Sequence, residues 1–130
     1  MENKAQFIPE SEVTTTHRPY PGNQTFLPIS EPISLLSLIG FENESIVSRT
    51  LVNRNLGTIT LFAFDLGQGL SEHTLPFDAF VHVLEGRVEI TVSEKHIQAG
   101  EGEIVILPAN QPHALKALSK FKMLLTMIRS

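Results

Sequence analysis

The 130-residue chain has no cysteine, no tryptophan and a single tyrosine. Without cysteine, neither a disulfide framework nor a thiolate metal site can form, and the composition fits a reducing cytoplasm. Long apolar runs are missing too: none approaches the roughly 18 consecutive residues of a membrane helix. The opening residues, Met1 to Gln6, lack the basic-then-apolar order of a secretory signal, so the sequence predicts a cytoplasmic protein with no membrane partner. Basic charge is scarce, with 10 Lys and Arg against 14 Asp and Glu and no basic stripe. A mildly negative field of this kind offers nucleic acid nothing to bind. Motifs for acyl transfer (G-x-S-x-G) and for phosphate binding (G-x-x-x-x-G-K-[ST]) are absent as well.

What is present divides the chain in two. Five of its eight prolines (Pro9, Pro19, Pro21, Pro28, Pro32) fall in the first 32 residues. Proline removes ladder donors, so this stretch, which includes the polar run Thr14 to His17, reads as an extended arm. Between Pro32 and Phe41, the run Ile33 to Gly40 predicts one short helix, with Ser30 as N-cap and Gly40 as terminator. Residues 1–44 are thus an arm with a helix, and 45–130 are the domain proper. In that second part short β-branched and aromatic runs alternate with Gly, Asn and Asp, the texture of an all-β sandwich or barrel. Strands are expected near 46–53, 57–65, 70–75, 79–84, 87–93, 102–107, 112–117 and 120–128. The segment Glu94-Lys95-His96 is read as a hairpin turn, which leaves His96 solvated.

Several strands are apolar on both faces. Ala79, Val81 and Val83 alternate with Phe80, His82 and Leu84, and Phe121, Met123, Leu125 and Met127 alternate with Leu124 and Ile128. One face lines a barrel; the other implies either a homodimer interface or a cover formed by residues 33–41 of the same chain.

The stretch from Gly67 to Gly86 carries His73, Leu75, Ala79 and a closing glycine at the spacing G-x5-H-x-H-x3-E-x6-G. The stretch from Gly102 to Ala117 follows G-x5-P-x-G-x2-H-x3-N, with Pro108 and His113 in place and with Asn110 and Ala117 standing for the glycine and the asparagine. Together these resemble the two signature motifs of the cupin superfamily. The resemblance implies a double-stranded β-helix, the jelly-roll barrel, and it implies that the motif residues face its interior. In that family the motif histidines and glutamate hold a divalent metal. Here Leu75 and Ala79 occupy the positions of the second histidine and the glutamate, so two of the ligands are gone.

The resemblance makes His73, Leu75, Ala79 and His113 the wall of a ligand pocket. The expected function is binding of a small organic molecule, with the two histidines as its polar groups. An alternative is a metal-dependent enzyme of the dioxygenase or isomerase type, in which His73 and His113 hold a weakly bound zinc, nickel or iron. A carboxylate is then needed, and Asp78, beside a bend at Pro76, is the one candidate. A third reading is a non-catalytic sensor or partner-binding module. In the plainest reading both histidines bond to backbone or water in a barrel without metal. Glu72 and His82 fail the alternation test and are assigned to the outer face, while Glu85, far along the strand from the ligand level, is read as a solvated residue of the turn before Gly86.

Overall fold

The computed structural model describes residues 17–19 and 30–129. Most of the predicted arm (1–16 and 20–29) lies outside the described residues. Ten strands follow in chain order: β1 (His17–Pro19), β2 (Ile46–Arg54), β3 (Gly57–Phe64), β4 (Gly69–His73), β5 (Asp78–Glu85), β6 (Val88–Val92), β7 (Lys95–Ala99), β8 (Ile104–Leu107), β9 (His113–Ala117) and β10 (Phe121–Ile128). They form a six-stranded sheet, β1-β2-β3-β10-β5-β8, and a four-stranded sheet, β4-β9-β6-β7. The pairing is antiparallel except for β1, which adds in parallel beside Ile46–Ser48 at the edge, where a proline is tolerated. The fold is the jelly roll that the strand texture and motifs predicted.

Period-two alternation builds the core between the sheets. From the larger sheet, Phe62, Phe64, Val81, Val83, Phe121, Met123 and Leu125 point inward and meet Leu70, Val88, Ile90 and Leu115 from the smaller. Phe64 and Phe121 pack with ring centroids 5.1 Å apart. The intervening residues Val47, Leu61 and Ala63 face outward, yet they too are buried, under Leu35, Leu38, Ile39 and Phe41.

Three local expectations need correction. The helix over 33–39 is only a 3-10 turn at Leu35–Leu38, and its N-terminal residue is Ser34, whose side chain makes no cap bond. Seven residues interrupted by serines are too short to nucleate a helix alone, and lying flat on β2 and β3 buries more apolar surface. Two buried cations hold that cover in place: Arg49 Nη1 donates to the Leu38 carbonyl at 3.1 Å and Lys122 Nζ to the Leu36 carbonyl at 3.0 Å. Second, Glu94-Lys95-His96 is not a turn. The reversal occurs at Ser93 and Glu94, with Ser93 at φ 55°, and Lys95 already begins β7. His96 pairs with Thr91 across the ladder, a strand hidden by its polar composition. Third, β4 ends at His73, two residues earlier than expected, because Pro76 prevents the ladder from continuing.

The cover does not reach the other half of the outer face. There Phe80, His82, Ile104, Leu124, Thr126 and Ile128 line a groove of about 250 Å³. Ile104, Ile106 and Ile128 are 53 %, 56 % and 50 % exposed.

Candidate functional site

Position follows from register. His73 on β4 and His113 on β9 are direct cross-strand partners in the smaller sheet. Their rings meet edge to face, with centroids 4.5 Å apart and planes at 71°. Both side chains are buried, at 6 % and 5 % exposure. Each ring is oriented by the backbone two residues before it: His73 Nδ1 lies 2.7 Å from the Ser71 carbonyl oxygen, and His113 Nδ1 lies 3.2 Å from that of Gln111. A carbonyl only accepts, so Nδ1 carries the proton in each ring. In the neutral ring the lone pair therefore falls on Nε2.

The larger sheet closes the space opposite. His73, Leu75, Ala79, Val81, Leu107, His113, Leu115, Met123, Leu125 and Met127 line one cavity, so the structure brings together the four residues that the motifs singled out. Free space inside is about 10 Å³, room for about one water. Leu75 reaches the cavity from beyond the end of β4, held by its carbonyl, which accepts from Asn110 N at 2.7 Å. Asn110 itself sits at φ 68°. Asparagine is among the few residues that tolerate this left-handed conformation, so it can stand where the motif has glycine. Asp78 does not join the site. It is exposed at the start of β5, and its Oδ1 accepts from Ala109 N at 2.9 Å, which ties β5 to the β8–β9 loop. His82 faces the outer groove, as its parity required.

Electrostatics keep His113 uncharged. Burial, followed by the neighbouring His73, lowers its pKa from 6.5 to about 4, while the bond to Gln111 pulls weakly the other way. In the unfolded chain the ring titrates near its ordinary value. Between these two values the unfolded chain binds a proton that the folded chain refuses, so this contribution to stability is complete above about pH 7 and is lost as pH falls toward 4. We expect denaturant titrations at pH 7.5 and pH 4.5 to differ by up to about 3 kcal/mol more in the wild type than in His113→Leu. An equal pH dependence in the two proteins would contradict this assignment.

A divalent metal of the kind these motifs hold elsewhere does not fit the donors present. Among the described residues no group of three or more His, Cys, Asp and Glu side chains converges. The two imidazoles would leave most of the coordination shell to solvent, in a cavity with room for about one water. Sequence reasoning placed Met123 and Met127 in the core without recognising them as wall residues of this cavity. Their inward parity on β10 was the signal available.

Residues 60–129 match the cupin domain family. Similar solved structures include a conserved protein of unknown function from Streptococcus pyogenes, 36 % identical with a TM-score of 0.77, the match covering 80 % of this chain and 91 % of that one. A cupin superfamily protein from Desulfitobacterium hafniense is 29 % identical with a TM-score of 0.76, covering 80 % and 95 % of the two chains. A cupin 2 conserved barrel domain protein from Leptotrichia buccalis is 36 % identical with a TM-score of 0.72, over 75 % of this chain and 47 % of that one. No curated protein matches the chain. The family match alone spans more than half of the sequence and takes in the whole smaller sheet, with both His73 and His113; the protein belongs to the cupin family.

Proposed function

We propose that the barrel binds a small, uncharged organic molecule, with His73 and His113 as its polar contacts. The observation that carries this reading is the pairing of two inward imidazoles, 4.5 Å apart, with a wall that is otherwise entirely apolar. Such a wall rejects charge, while a neutral Nε2 accepts a hydrogen bond. The preferred ligand therefore has an apolar body and one or two O–H or N–H donors. A free volume of about 10 Å³ limits the size of what can enter without rearrangement. Larger guests must displace the Met123 and Met127 side chains, whose unbranched thioethers change rotamer readily.

A panel of small alcohols, phenols and amines, screened by imidazole NMR shifts and thermal stabilisation, tests the reading. A binding member should shift both histidine ring signals, and His113→Leu should weaken it by about tenfold, the loss expected from one buried hydrogen bond. If no member of the panel moves either ring signal, the reading fails. The cysteine-free composition supports a cytoplasmic location, and no helix among the described residues is long and apolar enough to cross a membrane.

The half of the outer face that no described residue covers favours a second role, homodimerisation. At the edge of the larger sheet β8 carries exposed Ile104 and Ile106, beside a groove that is apolar except for His82 and Thr126. A two-fold axis beside this edge would bury the isoleucines of both copies against each other, the self-complementary arrangement that closed dimers use. Light scattering at micromolar concentration should report a dimer, and Phe80→Glu should shift it to monomer. A wild-type monomer would rule out this role for the face.

A further inference from the structure

A cavity this enclosed needs an entrance, and the strand ends around it show where one lies. His73 closes β4, Leu107 closes β8, Met127 stands one residue from the end of β10, His113 opens β9 and Ala79 is the second residue of β5. All of these positions belong to one end of the barrel; toward the other end Phe64 and Phe121 fill the space with packed rings. Between His73 and Ala79 the chain leaves the sheet, yet alternation persists. Thr74, Pro76 and Asp78 are exposed, whereas Leu75 and Phe77 are half-buried and pack on the core. Phe77 is therefore turned to the same side as the cavity residues His73, Leu75 and Ala79. Register gives it a partner. Asp78 pairs with Ile128 and Ala79 with Met127, so one step further out Phe77 comes opposite Arg129, whose guanidinium carbon lies 5.0 Å from the centre of the Phe77 ring. We propose that Phe77 is a gate at the mouth of the cavity and that Arg129 is its clasp.

The two partners differ in how they are held. Arg129 is rooted in the sheet frame, because its backbone N donates to the Leu56 carbonyl at 2.9 Å. Phe77 lies on a short segment tethered on both sides to the β8–β9 loop: Asn110 N donates to the Leu75 carbonyl at 2.7 Å, and Ala109 N to Asp78 Oδ1 at 2.9 Å. With both tethers in place and the backbone of Pro76 fixed by its ring, the motion of lowest cost is rotation of the Phe77 side chain from one rotamer to another. What opposes that rotation is core packing and the guanidinium above the ring. Arg129 is exposed, and a cation over an aromatic ring at an exposed position shifts such an equilibrium by about two- to fivefold. The gate is thus shut in its resting state and opens by a local motion, without unfolding of the barrel.

This inference rests on the organic-ligand reading for what passes the gate, but access to the rings can be measured without a ligand. The probe is diethyl pyrocarbonate, which acylates unprotonated imidazole nitrogens, applied to the full chain at pH 7 and followed histidine by histidine by peptide mass spectrometry. His96, exposed on β7, is the internal control. In wild type His73 and His113 should react much more slowly than His96. Arg129→Gln should speed both by about two- to fivefold and Phe77→Ala by about tenfold or more, with the His96 rate unchanged. Arg129→Gln should leave the urea unfolding midpoint where it is in wild type, which separates a gate from a general loosening of the fold. Wild-type rings as reactive as His96 would overturn the inference. So would rates at His73 and His113 that are the same in wild type and Arg129→Gln, or a gain in that variant matched by an equal gain at His96. Rings equally slow in all three proteins defeat the gate and leave the organic-ligand reading standing, whereas rates in the expected order with no binder in the ligand panel do the reverse.

Discussion

Leu75→His combined with Ala79→Glu should convert the barrel into a tight, stoichiometric site for zinc or nickel. Ala79 faces the cavity from β5 at 3 % exposure, between its ladder partners Leu107 and Met127, and Leu75 lines the same space. The two changes would supply an imidazole and a carboxylate to the existing imidazole pair and complete a four-ligand shell. In the metal-free variant the larger side chains enter a cavity of about 10 Å³, so overpacking should cost about 1–3 kcal/mol and the buried carboxylate about as much again. Metal reverses that balance, because binding to a structural zinc site is worth on the order of 10 kcal/mol at neutral pH. The variant should therefore unfold earlier than wild type in chelator and later than wild type in excess zinc, a crossing that calorimetry can record. Elemental analysis after dialysis should find one metal per chain in the variant. A variant that folds but gains no affinity for zinc or nickel would show that the four positions do not converge on one point.

A large loss of stability should come from Gly86→Ala. Gly86 links β5 to β6 at φ +84°, and a Cβ there would meet the Lys120 carbonyl oxygen and come within 2.9 Å of the Phe121 Cα. Neither obstacle is a side chain that could swing away. Both belong to the backbone entering β10, already tied to this turn by the bond from Arg87 N to Ser119 Oγ at 3.0 Å. Strain in the left-handed region and the clash add together, for a loss of about 3 kcal/mol or more. Gly67→Ala is the control. Its φ is +83°, almost the same, but nothing lies within 4 Å of the added Cβ. Only the conformational cost remains, about 1 kcal/mol. Equal losses in the two variants, measured by urea titration, would show that close approach of the 119–121 backbone is not the reason for glycine at position 86.

These two glycines show what was legible before any coordinates. Their spacing with His73, Pro108 and His113 was enough to point to the barrel, and two-residue alternation placed Val81 and Val83 inward and His82 outward. Alternation works where a strand is regular and buried on at least one side. It could not locate the end of β4, because Pro76 acts through a missing donor rather than through hydrophobic pattern. Nor could it detect β7, whose Lys95, His96 and Gln98 face solvent. The segment 33–41 was misread because its apolar residues are satisfied by a neighbouring sheet, a tertiary contact that local propensity does not encode. Of the two readings of the outer face, the internal cover holds over Val47, Leu61 and Ala63, under residues 35–41, while no described residue covers the side near β8. Buried Arg49 and Lys122 were also invisible, since a cation aimed at a carbonyl leaves no periodic signal. Position 110 was the reverse case, where an apparent departure from the motif preserves its backbone geometry.

The place of β10 bears on how the protein is made. It comes last of the ten strands in chain order, yet it lies in the middle of the larger sheet, bonded to β3 on one side and β5 on the other. During synthesis a ribosome therefore delivers nine strands before the one that can join them, and until then β3 and β5 each present an unpaired edge. Pairings this distant in sequence are slow to form, and open edges of this kind are where nascent chains stick to one another. Met123 and Met127 arrive on the same strand, so the closed cavity cannot exist on a partial chain, and whatever it holds must enter after translation of β10 is complete.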